Sequence, residues 1–120
     1  MSENEPLLIE DSSGAIKTAK SEDEFIFHLA LKAEGIEFLY EFGLYGGHRT
    51  LGGVSIDFMC WIPFATAVEI QGEFWHRNTT RERWRTAIIT SYFGKEPIFI
   101  TEDETTDVGS ARSAVKKKLR

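Results

Sequence analysis

The segment from Val54 to His76, VSIDFMCWIPFATAVEIQGEFWH, constrains this chain more than any other. Two runs rich in β-branched and aromatic residues, Val54–Trp61 and Thr66–Gln71, flank the turn Ile62-Pro63-Phe64. Such runs read as strands, and so short a turn makes them neighbours in one sheet. The second run is nearly continuous in apolar residues, which suits a central strand. Yet Asp57 lies inside the first run, and Glu69 and Gln71 lie inside the second. An unpaired carboxylate in an apolar setting is costly, so these positions call for a chemical reason.

The remaining elements arrange themselves around this pair. Ser21-Glu22-Asp23-Glu24 is a capping box, with Ser21 at the N-cap and Glu24 at N3. It opens a helix to about Ala33, with Gly35 as the stop. Ile36–Tyr45 reads as a strand, and the paired glycines of GGHRTLGG mark a connection. Thr79-x-x-Glu82 is a second capping box, opening a helix through about Tyr92 that Gly94 closes. PIFIT is a fourth short strand. Asp107 caps a last helix whose terminal lysines suit the helix dipole. The order is α-β-β-β-α-β-α, an α/β single domain over residues 19–120. Residues 1–18 lack periodicity and read as a flexible acidic arm, with a short strand at Leu7–Ile9.

At 120 residues the chain suits one domain. Its single cysteine, Cys60, rules out an internal disulfide or a zinc cysteine set and reads as a buried, inert thiol. No apolar run reaches the length of a membrane span, and the acidic N-terminus lacks a signal pattern. A soluble, cytoplasmic protein without membrane contact is the expectation. The formal net charge of −5 is carried by residues 1–24, and the rest of the chain is neutral. Across residues 77–95, Arg77, Arg81, Arg83, Arg85 and Lys95 face Glu82 alone. That basic stretch, with the KKKLR terminus, is compatible with DNA despite the overall acidity.

Adjacent strands bring Asp57 and Glu69 within reach of each other, and side-chain alternation puts Glu69 and Gln71 on one face. Two carboxylates and an amide oxygen form a hard-oxygen donor set for Mg²⁺ or Mn²⁺. A cation there would polarise a phosphate and make hydroxide from water. Glu24 reads first as the N3 residue of its capping box. His76 reads equally as a strand-end histidine or as a general acid or base near the scissile bond. Arg81 and Arg85 lie one helical turn apart, as a phosphate clamp or a solvated helix face. Trp75 reads as packing. His48 and Arg49 belong to the glycine-rich connection, as DNA contacts or as part of a plain hairpin.

The combination Asp57-Phe58, then VEIQGEFWH from Val68 to His76, then RERWRTAIITSYFGKEPIFI resembles the PD-(D/E)XK nuclease superfamily. It is most similar to the very-short-patch-repair-like endonuclease branch, over about residues 21–105. The resemblance implies a restriction-endonuclease-like α-β-β-β-α-β core, with a mixed four-stranded sheet and a C-terminal helix. It implies a metal-dependent DNA endonuclease acting on branched, nicked or mismatched DNA, with Mg²⁺ or Mn²⁺ as cofactor. In that frame Asp57, Glu69, Gln71 and His76 are catalytic; Asp57, Glu69, Gln71 and Glu24 hold metal. Arg77, Arg81, Arg85, His48 and Arg49 then meet DNA. Gln71 departs from the pattern, because the family has Lys there, or Asp in some close relatives. A resolvase role would require a homodimer. The competing reading is a non-catalytic structural or accessory protein that keeps the nuclease fold, for example in a phage assembly or virion.

Overall fold

Val54–Trp61 and Ala65–Gln71 pair as antiparallel neighbours in the middle of a four-stranded sheet. They are strands β4 and β5 of a computed structural model that describes residues 5–47, 53–71 and 80–120. In chain order the other elements are β1 (Leu8–Glu10), β2 (Ile16–Thr18), α1 (Glu22–Ala33) and β3 (Phe38–Leu44), all before β4. After β5 come α2 (Thr80–Phe93), β6 (Ile98–Thr101), a short 3-10 helix (Glu102–Thr105) and α3 (Val108–Lys118). The sheet runs β3-β4-β5-β6. Its first three strands are antiparallel and β6 joins β5 in parallel, so the sheet is mixed. The result is a single-domain α/β fold with a C-terminal helix, in the element order expected from residue 21 onward.

Two apolar clusters hold the layers together. Phe27, Ala30 and Leu31 of α1 and Ala111, Ala114 and Val115 of α3 pack on Phe38, Tyr40, Phe58, Cys60, Val68 and Ile100 of the sheet. Ile89 of α2, with Ile88 and Phe93, packs on Leu44, Val54, Ile56, Met59 and Ala67. The helix caps act as their residues dictate. Ser21 Oγ accepts from Glu24 N–H at 3.2 Å, and Asp107 Oδ1 accepts from Ser110 N–H at 2.7 Å. Gly35, at φ 71°, ends α1 in the left-handed conformation, where only glycine escapes a Cβ penalty. Cys60 is fully buried, and burial pushes its thiol up to about 12, as an inert core thiol requires.

The alternation of side chains breaks at one level of the sheet. Phe38 and Tyr40 face the first cluster, but Phe42 and Leu44 face the second. Across the ladder, Phe58 and Cys60 face the first cluster, whereas Val54 and Ile56 face the second. A regular strand keeps every second residue on one face, so both strands turn over between these pairs. The switch falls at Glu41 on β3, which has φ 54°, and at Asp57 on β4. A non-glycine residue at positive φ inside a strand costs about 1–3 kcal/mol and tends to mark a functional site.

The short strand expected at Leu7–Ile9 forms as Leu8–Glu10, and a second strand joins it that the loose-arm reading did not foresee. Leu8–Glu10 and Ile16–Thr18 form an antiparallel hairpin. Ile9 is fully buried in the first cluster. The DSSG sequence makes an Asx-type turn, in which Asp11 Oδ1 accepts from Ser13 N–H (2.9 Å) and Ser13 Oγ (2.6 Å). Ser12 N–H donates to Phe38 O, and Phe38 N–H donates to Ser12 Oγ, both at 2.9 Å. These bonds dock the hairpin beside β3. Polar turn residues hid this from the sequence, since the hairpin buries one apolar side chain rather than a periodic face. Among the described residues, no helix is long and apolar enough to cross a membrane.

Candidate active site

The β4–β5 ladder is regular from Trp61↔Ala65 to Phe58↔Val68 and lapses at the next step, where Asp57 and Glu69 stand. Two backbone donors lose their ladder partners there, and the carboxylates take them. Asp57 N–H donates to Glu69 Oε2 at 2.8 Å, and Ile70 N–H donates to Asp57 Oδ2 at 2.9 Å. Each acid thus clasps the other's strand with one oxygen. The second oxygen of each meets a cation. Asp57 Oδ1 lies 3.4 Å from Lys20 Nζ. Glu69 Oε1 forms an ion pair with Arg85 Nη1, and it has no hydrogen bond of ordinary geometry. Arg85 also donates from Nη2 to Ser55 O at 2.6 Å.

These groups line an open cleft of about 300 Å³. Lys20, Glu24, Asp57, Glu69, Gln71, Glu82 and Arg85 all border it. Asp57, Glu69 and Gln71, which the sequence placed together, border this one cleft. Glu24 needs a correction. Its backbone completes the Ser21 cap, but its side chain does not return to close the box. Instead its Oε1 accepts from Tyr40 Oη at 2.5 Å. Tyr40 is itself buried and accepts from Lys20 N–H at 3.0 Å. Arg85 does not lie on a solvated helix face: it points into the cleft, and both ends of its fork are engaged there, with Glu69 and with Ser55 O. Arg81, one turn earlier on α2, is exposed. His48, Arg49, His76 and Arg77, with Trp75 and Thr79, lie outside the described residues.

Charge dominates the cleft. Glu69 is almost wholly buried, and its carboxyl is pushed up to about 7, first by burial and then by the charge of Asp57. Arg85 pulls the other way and only in part offsets this. Burial and Asp57 likewise raise the carboxyl of Glu24, against the pull of its Tyr40 hydrogen bond and of Lys20. Acids crowded together in low dielectric resist simultaneous ionisation unless cations accompany them. Lys20, which also reaches Glu41 Oε2 at 3.6 Å, and Arg85 are those cations here.

Asp57 and Glu69 are hard-oxygen donors of the kind a divalent ion takes, and in the metal-free protein Glu69 Oε1 is buried against Arg85. Asp57 and Glu69 each turn one oxygen toward a cation while the backbone fixes the other. Among the described residues, no three His, Cys, Asp or Glu side chains form a ready-made cage. Two carboxylates meet the needs of Mg²⁺, which keeps several waters and completes its shell with substrate phosphate.

Sequence reasoning did not find Lys20, Tyr40 or Glu41. Lys20 lies 37 residues from Asp57, and no motif spacing joins them. The one local clue is the position of Lys20 immediately before the Ser21 cap, at the mouth of a helix. Comparison with protein-family models, with curated proteins and with solved structures gives no match to this chain.

Proposed function

We propose that this chain is a metal-dependent DNA endonuclease of restriction-endonuclease-like fold, hydrolysing phosphodiester bonds in branched, nicked or mismatched DNA. The observation that carries this reading is the reciprocal clasp of Asp57 and Glu69 where β4 and β5 part. It ties one oxygen of each carboxylate to the opposite strand and leaves the other to a cation, Lys20 at Asp57 and Arg85 at Glu69 in the metal-free protein. Asp57 and Glu69 would hold Mg²⁺ or Mn²⁺, with Gln71 and Glu24 on the same cleft as auxiliary donors. A divalent cation bound there supplies charge to the phosphate and acidifies a water. Asp57 and Glu69 orient the site, and burial of Glu69 keeps the local dielectric low, which strengthens every charge interaction. Arg81 and the basic stretch of α2 suit a phosphate backbone running past the cleft.

The test is cleavage of duplex, nicked, mismatched and four-way-junction DNA in Mn²⁺, with wild type beside Asp57→Asn. Cutting by wild type and none by the variant supports the reading. Equal rates for the two, or no cutting of any substrate, sinks it.

A second reading has its own observation. Lys20 and Arg85 already neutralise two of the cleft acids without metal, as a structural descendant of a nuclease requires. Such a protein would serve as an accessory module in a larger assembly. It would show no Mn²⁺ binding by calorimetry and no Mn²⁺-dependent rise in melting temperature.

A further inference from the structure

Hydrolysis of a phosphodiester builds negative charge on the phosphoryl oxygens, and a site gains most from a cation already aimed at them. Gln71, at the strand position that borders the cleft beside Glu69, carries no charge. Two described cations border the cleft, Lys20 and Arg85. Arg85 is committed, with Nη1 on Glu69 and Nη2 on Ser55 O. Lys20 is differently placed. Its side chain is 49% exposed, and its ammonium stands 3.4 Å from Asp57 and 3.6 Å from Glu41. Those separations exceed the roughly 2.7–2.9 Å of a tight charge-assisted hydrogen bond. An ammonium has three donors, so Lys20 retains capacity for an incoming oxygen.

The backbone of Lys20 is held where this role needs it. Tyr40 Oη accepts from Lys20 N–H at 3.0 Å and donates to Glu24 at 2.5 Å. One buried phenol therefore ties the lysine's main chain to an acid of the same cleft. Glu41, held at φ 54°, supplies the second carboxylate that keeps the ammonium over the cleft rather than in solvent.

We propose that Lys20, arriving from the β2–α1 connection, is the residue that contacts the scissile phosphate and supplies the positive charge that Gln71 lacks. The proposal rests on the reading of the cleft as a nuclease site. It makes the phosphodiester, rather than a base, the group recognised by this end of the cleft.

The experiment compares wild type, Lys20→Met, Lys20→Gln, Lys20→Arg, Asp57→Asn and, as a control, Lys32→Gln at the exposed end of α1. Circular dichroism and melting show that each variant is folded. The half-exposed position of Lys20 tolerates Met or Gln. Mn²⁺-dependent cleavage and the salt dependence of duplex binding in Ca²⁺ are then measured together. The expected result is a loss of about 10²-fold in cleavage for Lys20→Met and Lys20→Gln. The slope of log binding constant against log salt should shrink by about 0.9, one phosphate contact. Lys20→Arg should keep the slope, and Lys32→Gln should match wild type in cleavage. Wild-type cleavage and an unchanged slope in Lys20→Met, alongside an inactive Asp57→Asn, overturn the role of Lys20 and leave the nuclease reading standing. Lost cleavage with an unchanged slope also overturns it, because the lysine would then only position Asp57. A wild type that cuts none of the DNA substrates overturns both.

Discussion

The backbone N–H of Asp57 donates to Glu69 Oε2 at 2.8 Å across the point where their strands separate. A side chain has replaced a rung of the ladder, so any catalytic role proposed for Glu69 is bound up with its structural one. The same is less true of Asp57, whose Oδ2 accepts from Ile70 N–H and can be mimicked by an amide oxygen.

Asp57→Asn should therefore keep the fold and lose cleavage by at least about 10²-fold, the scale of removing one preorganised electrostatic group. The variant relieves repulsion with Glu24 and Glu69 and gives up the ion pair with half-exposed Lys20, which is worth about 1 kcal/mol or less. Its metal-free melting temperature should match or exceed that of wild type. A collapse in melting temperature would show that the carboxylate charge itself holds β4 to β5.

Glu69 gives a pH signature in the metal-free protein. Its carboxyl holds a proton more tightly folded than unfolded, moving from an ordinary 4.5 to about 7. Its contribution to stability is therefore present below about 4.5 and lost as pH rises through about 7. Glu24 works in the same direction. Asp11, Glu34 and Glu104 are lowered and work in the opposite one, losing stability on acidification. The groups facing Glu69 are Asp57 and Arg85, with Lys20, Glu24 and Glu82 across the cleft. Comparing wild type with Glu69→Gln isolates the term. The stability of wild type relative to the variant should fall as pH rises from about 5 to about 8. A constant difference in urea melts across that range would refute the raised carboxyl.

Arg85→Met removes the cation from Glu69 Oε1 and leaves a buried acid. The metal-free protein should lose about 3–5 kcal/mol, the usual cost of breaking a buried pair, with less loss in acid where Glu69 is protonated. If the cleft takes a divalent ion, Mn²⁺ at about 100 times its dissociation constant should restore about 2.7 kcal/mol. Melting with and without Mn²⁺ measures this. A variant that Mn²⁺ fails to stabilise would favour the structural reading of the site.

Gln71→Lys should preserve or raise Mn²⁺-dependent cleavage, because it adds positive charge beside the phosphate. It should also raise the melting temperature of the metal-free protein by easing the repulsion among Glu24, Asp57 and Glu69. An active parent that becomes inactive on this change would mean that Gln71 acts as a neutral ligand that lysine cannot replace.

Local chemistry made most of the fold legible before the structure. Caps at Ser21 and Asp107, the stop at Gly35 and the strand runs around Ile62-Pro63-Phe64 are written in short-range signals, and those elements form where expected. The meeting of Asp57 with Glu69 was legible too, because a short turn between two strands brings their residues to the same level. Of the hairpin at 8–18 only the first strand was legible, since its one buried side chain, Ile9, leaves no periodicity to mark the second. The company that the two acids keep was not legible. Lys20 and Arg85 reach the cleft from distant parts of the chain, and Tyr40 of β3 anchors Glu24 and the Lys20 main chain behind it; no spacing along a chain encodes which distant side chains a packed sheet will bring together. Glu24 illustrates the division best. The sequence set its backbone in the capping turn of α1, but tertiary packing sent its carboxyl to Tyr40, because a buried phenol and a buried acid each need the partner that only the folded chain provides.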